Sequence, residues 1–341
     1  MLERMGLWDA VDAVRTAPTD LHVVDAADRL RAVIPHEFVG GDVEVLRGDL
    51  GALLHERTTS AAEYVFGDRI EAMTETPDAV EVTFRSGRSE SFDLVVGADG
   101  VHSGVRRLAF GPEEEHVEFL GHYYAVVGAN HPAPATADGR AIGYWYNEPG
   151  RLAAIGGPKA PDMFVFASPR LDYDRRDTDA QKRLVARAFE GAGWKVPQML
   201  ERLEAADEFY LDGLHRGRMS RYTRGRVVLV GDAAYANTLG GFGTGLAVVG
   251  AYVLAGELAA AGDDHRTALA GYDRVMHRYA RIARRGNAGG FLAPSSRLRI
   301  RLRDATFRNR MLLATTMRLT DLFANDIALP EYRELPAVSA G

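Results

Sequence analysis

The chain has 341 residues, 46% of them apolar and 26% charged, and its 41 Lys and Arg against 47 Asp and Glu give a formal net charge of −6. That length can hold a substantial core divided into two structural units, and the acidic balance gives no general reason to expect nucleic acid or an anionic membrane as partner. There is no cysteine, so disulfides, thiolate catalysis and zinc-thiolate sites are excluded, which fits a cytoplasmic protein.

Residues 1–35 read as a helix followed by short strands, with HVVD and LRAVI as apolar runs and no basic-then-apolar leader pattern. Residues 46–59 follow helical spacing. Three strand-like runs occupy 63–96, and Ser86-Gly87 supplies a hairpin turn between alternating segments. The string DLVVGADGVHSGVRRL then runs from Leu94, Val95 and Val96 into Gly97, Asp99 and Gly100, and on into a polar turn with Ser103 and Arg106. A solvated acidic run at 113–115 leads to GHYYAVVGA and a Pro/Ala loop. Aromatic strands follow at 143–146 and 163–167, with a helix over 179–191, and this run of strands predicts an antiparallel sheet.

Residues 225–258, GRVVLVGDAAYANTLGGFGTGLAVVGAYVLAGEL, carry the densest signal. Val227 to Val230 form a short β-branched run bounded by glycine, the pattern of a central strand in a parallel sheet. Asp232 sits at the strand's carboxyl end. Gly240, Gly241, Gly243 and Gly245 follow within six positions, where bare backbone approaches a ligand closely, and the pattern turns helical from Leu246. The N–H groups of a helix start favour electron-rich oxygen or developing negative charge. A tight connection in any α/β domain shows similar glycines, so the turn alone does not decide its purpose. Glu257 interrupts the apolar stretch 246–261, which therefore reads as a helix buried against the sheet and not as a membrane span. Residues 264–333 are helical by pattern and arginine-rich, the solvated face of packed helices in an acidic chain without interleaved aromatics. Strict alternation over 297–303 has the period of a strand instead.

Taken together, these segments resemble the flavin-dependent monooxygenases of the aromatic-hydroxylase type, the group that includes para-hydroxybenzoate hydroxylase and the tetracycline-modifying monooxygenases. GADGVHSGVRR looks like that family's DG motif, VLVGDAA like its GD motif and VLRGDLGALL like its R-x-x-L segment. The resemblance implies an α/β fold: an incomplete Rossmann-like FAD-binding domain over 1–112 and 216–264, interrupted by an antiparallel substrate-binding sheet over 113–215. A C-terminal helical segment over 265–333 and a tail over 334–341 complete it. By the same resemblance, Asp232 with Gly231 meets a ribityl hydroxyl of FAD, and Gly241, Gly243, Thr244 and Gly245 bring N–H groups to the pyrimidine edge of the isoalloxazine. Arg47 reaches the flavin, and Asp99, Gly100, Ser103 and Arg106 serve the flavin and nicotinamide sides. Tyr123, Tyr144 and Tyr146, with Tyr124 and Trp145, are candidates for lining the substrate. The family departs from this sequence at Gly245, where asparagine is usual, at Tyr235, where histidine is usual, and around Leu239, where proline is usual.

The implied activity is hydroxylation of an aromatic or polyketide-like small molecule, with NADPH or NADH as reductant and O₂ adding to FAD as a C4a-hydroperoxide. No catalytic side chain is assigned, because the flavin carries the chemistry. His122 and His215 could act as acid or base, yet neither has a partner visible in sequence. No metal site is expected, since none of the ten histidines falls in a metal-ligand spacing. Relatives open with a strand and a G-x-G-x-x-G turn for the FAD pyrophosphate, and that pattern occurs nowhere in the 341 residues. A start placed too far downstream, a truncated gene and a variant that has abandoned FAD all account for this. A non-catalytic remnant or ligand-binding module, and a flavin-dependent dehydrogenase or reductase, stand as alternatives.

Overall fold

Where β-branched and aromatic residues alternate, this chain builds strands, and where glycine breaks the alternation it turns. The computed structural model describes residues 2–39, 43–128, 139–156, 162–241, 243–284, 286–309, 312–313 and 328–332. The expected Pro/Ala loop from 129 onward and the tail 334–341 lie outside the described residues. The first part comprises α1 (Trp8–Ala13), β1 (Thr19–Val24), β2 (Leu30–Ile34), α2 (His36–Val39), α3 (Arg47–Thr58), β3 (Ile70–Glu75), β4 (Val80–Phe84), β5 (Ser89–Phe92) and β6 (Val95–Gly97). Next come α4 (Gly104–Phe110), α5 (Glu113–His116), β7 (Val117–Val127), β8 (Ala141–Glu148), β9 (Arg151–Ile155), β10 (Asp162–Ala167), α6 (Thr178–Ala188), α7 (Val196–Ala205) and β11 (Phe209–Gly217). The last part holds β12 (Thr223–Arg224), β13 (Val227–Leu229), α8 (Asp232–Tyr235), α9 (Gly243–Ala261), α10 (His265–Tyr279), α11 (Ala288–Leu292) and α12 (Arg297–Arg308).

The large sheet has seven strands in the order β11-β7-β10-β9-β8-β1-β2. Its pairs are antiparallel except β1 with β8, which run parallel from Thr19 opposite Ala141 to Val24 opposite Tyr146. The sheet thus reaches beyond the expected 113–215 stretch and takes in residues 19–34. The physical reason lies in its faces: Leu21, Val23, Ala32 and Ile34 need a partner surface and find one beside Tyr124, Trp145, Leu152, Val165 and Leu214. The opposite face buries Tyr123, Ala125, Tyr146, Phe164 and Phe166 under Val185 and Phe189 of the α6 region and Met199 and Leu203 of α7. Asp177 caps α6 by accepting the Ala180 N–H at 2.8 Å, and Pro197 sits in the first turn of α7, where its missing N–H costs nothing.

The second layer is a three-stranded sheet, β12-β13-β6, in which β13 and β6 run parallel with Val227 opposite Val95 and Leu229 opposite Gly97. A side chain at Gly97 would come within 2.6 Å of Leu229 Cδ2 and 2.9 Å of Val105, so glycine there permits strand and helix to approach closely. The meander β3-β4-β5 packs beside it, and Gly87 makes its hairpin turn at φ +89°. Over this layer lies α9, held by Val249, Val253 and Leu254, and along α9 packs α10 with Leu269, Tyr272 and Met276. The buried Tyr272 hydroxyl donates to Leu229 O at 2.7 Å and so joins helix to strand.

Two expectations change here. By length and mean hydropathy of 1.6, α9 is long and apolar enough to cross a membrane even with Glu257. Its Leu246, Val249, Val253 and Leu254 are nonetheless buried against the protein, one face of a helix of which a third is covered in all. Residues 297–303, whose alternation has a strand's period, form the start of α12. Ser296 caps it by accepting the Arg299 N–H, and Arg303 and Phe307, four residues apart, turn the same face inward.

Candidate functional site

At the end of β13 the chain must turn sharply to start a helix, and Gly231 does so at φ +65° with an added Cβ only 3.3 Å from Ala247. The next residue, Asp232, begins α8 and is accessible to solvent, and its carboxylate makes no hydrogen bond or ion pair among the described residues. Leu239 adopts φ +56°, a conformation that costs a side-chain-bearing residue of order 1–3 kcal/mol, and Gly241 follows at φ +86°. The helix α9 starts at Gly243, earlier than the pattern suggests, so Gly243, Thr244 and Gly245 form its first turn. Their N–H groups have no intrahelical acceptors. An added Cβ on Gly241 or Gly245 would meet nothing within 4 Å, and one on Gly243 would meet only Asp232 Oδ1 at 3.6 Å. Among the described residues the space at Gly241 and Gly245 is therefore open, with a carboxylate beside it. Desolvation by the surrounding protein raises the Asp232 pKa, while the charge of Arg47 acts the other way. Arg47, the exposed first residue of α3, makes no hydrogen bond or ion pair among the described residues either.

The DG segment is built from its own turn. Asp99 accepts from Ser103 Oγ at 2.5 Å and from Val105 N at 3.1 Å, and Ser103 Oγ accepts from Arg106 N at 2.9 Å, which caps α4. Gly100 takes φ +82° inside that turn. Arg106 points inward: 1% exposed, it donates to Ala233 O at 2.9 Å and Val101 O at 2.6 Å and lies 3.4 Å from Glu113. Burial lowers its pKa against the pull of Glu113 and Asp99. Its place is thus a tether between the two motif segments.

The aromatic candidates divide by face. Tyr123 lies under the α6–α7 layer with its hydroxyl accepting from Leu171 N, and Tyr146 there stacks on Trp194 and donates to Glu148. Burial and that carboxylate push Tyr146 up to about 12. Tyr144 packs on the same side, edge-on to His22. The structure does not bring these three to Asp232. Tyr124 and Trp145 instead belong to the face that carries Leu239, and Tyr124, its pKa raised by burial, lies within electrostatic reach of both Arg47 and Asp232. Strict alternation along β7 and β8 explains the split, because neighbouring residues point to opposite faces.

Sequence spacing also missed a cluster between α4 and β11. His102 Nδ1 lies 3.0 Å from both Glu113 carboxylate oxygens, and its Nε2 is 3.0 Å from Asp212 Oδ2. Burial alone would lower the His102 pKa, but its bonds to Asp212 and Glu113 carry it above the ordinary value. The same bonds hold both carboxylates below theirs despite burial. His215 sits 5.1 Å away, ring edge to face, and burial lowers its pKa. The two partners of this cluster on β11 are more than a hundred residues from His102, so no local motif could reveal them. His122 hydrogen-bonds Leu120 O and stands apart from it.

The FAD binding domain family matches residues 1–285, and the chain belongs to this family of FAD-dependent monooxygenases of the aromatic-hydroxylase type. It is 32% identical over 345 residues to a flavin-dependent monooxygenase of an unknown prokaryotic organism, covering 97% of this chain and 86% of that protein. An uncharacterised protein of Mycobacterium tuberculosis is 38% identical over 291 residues, covering 81% and 76%. Among solved structures, the tetracycline destructase Tet(55) aligns with a TM-score of 0.77 at 31% identity, covering 97% of this chain and 85% of that one. The chain is accordingly an FAD-dependent oxidoreductase.

Proposed function

We propose that this chain inserts one oxygen atom of O₂ into an electron-rich ring or enol of an aromatic or polyketide-like small molecule, with NADPH or NADH as reductant, in the cytoplasm. The balance is RH + O₂ + NAD(P)H + H⁺ giving ROH + NAD(P)⁺ + H₂O. The observation that carries the reading is the glycine-lined start of α9, flanked by the carboxylate of Asp232, on which the charge of Arg47 acts, both groups unpaired among the described residues. Those residues fit the ribityl and ring end of FAD.

Bound FAD supplies the redox chemistry, taking hydride from the nicotinamide and passing electrons to O₂. Asp232 would accept a hydrogen bond from a ribityl hydroxyl, and Gly231 gives the turn that presents its carboxylate. The N–H groups of Gly243, Thr244 and Gly245 at the start of α9 would hold the cofactor's ring edge and favour negative charge there, as fixed dipoles that need no rearrangement. Arg47 adds a positive charge to the same space. Asp99, Gly100 and Ser103 hold the DG turn rigid for the cofactor and nicotinamide side, and Arg106 keeps it in register with the GD segment. Tyr124 and Trp145 offer the substrate an aromatic wall that excludes water.

Purified chain mixed with FAD tests this directly. A bound-flavin spectrum that bleaches with NADPH, and labelled oxygen from O₂ in the product, are the expected results. A colourless protein after reconstitution refutes cofactor binding, and substrate oxidation without labelled oxygen makes the enzyme a dehydrogenase.

A further inference from the structure

We propose that His102, Asp212 and His215 form a binding site for one divalent transition-metal ion of the zinc type, oriented by Glu113. One ligand atom from each of the three lies within 4.8 Å of the other two. Tetrahedral zinc bonds of 2.0–2.2 Å need ligand separations of about 3.3 Å. The His102 Nε2 to Asp212 Oδ2 distance of 3.0 Å is already close to that, and His215 closes the remainder by a small ring movement.

Three details point to an ion in addition to the ligand types. Among the described residues His215 Nδ1 is buried without a hydrogen-bond partner, in a side chain only 7% exposed, which is uncommon for a polar atom that lacks a role. Glu113 receives the far nitrogen of His102, the carboxylate–histidine arrangement that fixes a metal-binding imidazole. Asp212, 4% exposed, is held by Gly213 N at 2.8 Å and the Tyr210 hydroxyl at 3.0 Å, so its orientation is set before any ion arrives.

The backbone makes room for this. Pairing of β11 with β7 changes register between Gly213 and His215, a break of the kind that re-aims side chains. A Cβ on Gly213 would lie 2.6 Å from His215 Cε1, so the imidazole rests where only glycine lets it. Without an ion, both ring nitrogens of His102 face carboxylates. Metal binding releases the Nε2 proton to solvent and leaves the Glu113 contact intact. Two imidazoles and one carboxylate favour Zn²⁺, Co²⁺ or Ni²⁺ over Ca²⁺ or Mg²⁺, and the exposed Arg175, 3.7 Å from Asp212, moves aside.

The test needs no FAD, so its outcome is separate from the oxygenation reading. The full chain is stripped with a chelator and titrated with Co²⁺, then with Zn²⁺ as competitor. One equivalent of Co²⁺ with a visible d–d band, displaced by Zn²⁺ with a rise in melting temperature, is expected. D212N and H215Q abolish the band, and E113Q weakens binding about 10–100-fold, while H55Q on the exposed face of α3 binds as wild type. Should D212N or H215Q fail to fold by circular dichroism, E113Q decides: unchanged affinity there overturns the proposal. It is equally overturned if the wild type takes up no stoichiometric Co²⁺, or if folded D212N and H215Q bind as the wild type does.

Discussion

Replacing Arg106 by Met separates its hydrogen bonds from its packing. Met fills much of the same volume but leaves the carbonyls of Ala233 and Val101 without the donors that reach them at 2.9 and 2.6 Å, and it strips Glu113 of a charge at 3.4 Å. Each of these carbonyls left unsatisfied costs about 1–3 kcal/mol, while Glu113, partly exposed and still bonded to His102, loses little. Relief of the desolvation that lowers the Arg106 pKa offsets part of this, so we expect Arg106→Met to lose about 3–4 kcal/mol. At roughly 2–4 °C per kcal/mol this lowers the melting temperature by on the order of 10 °C. Arg106→Ala, with its added cavity, falls further. Because the tether joins the DG turn to the GD segment, FAD affinity drops as well. Thermal melting with and without FAD reads both effects. An Arg106→Met variant that melts within about 2 °C of wild type would show that packing alone, and not the tether, stabilises this junction.

Asp232→Asn should weaken FAD binding by one to two orders of magnitude, about 1.5–3 kcal/mol for a lost charge-assisted hydrogen bond, as measured by flavin fluorescence titration. Because desolvation raises the Asp232 pKa, its ionised form destabilises the cofactor-free protein above the folded pKa and the cost disappears as the carboxyl protonates at lower pH. The same variant should therefore melt higher than wild type without FAD at pH 7. Glu118 is held below its ordinary pKa chiefly by its hydrogen bond to Arg216, with Arg218 alongside. Its contribution is present above the unfolded value of about 4.3 and lost as pH falls through the lowered folded value, so wild type and Glu118→Gln should differ in melting temperature at pH 7 and converge only once the pH is below that folded value. Gly97→Ala places a methyl 2.6 Å from Leu229 and should cost about 1–3 kcal/mol in urea denaturation. Tyr124→Phe should raise the substrate KM several-fold while Tyr146→Phe leaves it unchanged, since the two hydroxyls lie on opposite faces of the sheet.

Local chemistry was readable wherever a single segment contained its own explanation. The Val227–Leu229 strand, the Asp99-Gly100 turn with its Ser103 cap, and the glycines that start α9 all follow from residues within a few positions of one another. Alternation also revealed that β7 and β8 have two faces, but not which one carries Leu239: of the five aromatic candidates, Tyr124 and Trp145 lie on that face and Tyr123, Tyr144 and Tyr146 on the other. The arginines of 297–303 imitated a strand because their long stems tolerate either period, and the inward pair Arg303 and Phe307 shows its helical spacing only past the alternating stretch. The pairing of β1 with β8 and the meeting of His102 with Asp212 and His215 depend on contacts across the chain. No property of either segment alone encodes such contacts.

The parallel pairing of β1 with β8 also imposes an order on how a nascent chain can fold. Val24 has its partner in Tyr146, more than a hundred residues later, so a ribosome making roughly 5–20 residues per second leaves the first hairpin waiting on the order of ten seconds for its neighbour. During that interval Leu21, Val23 and Ile34, buried in the finished protein, have no sheet to cover them. The β1–β2 pair therefore waits for its neighbour, and the large sheet can close only after β8 has left the exit tunnel.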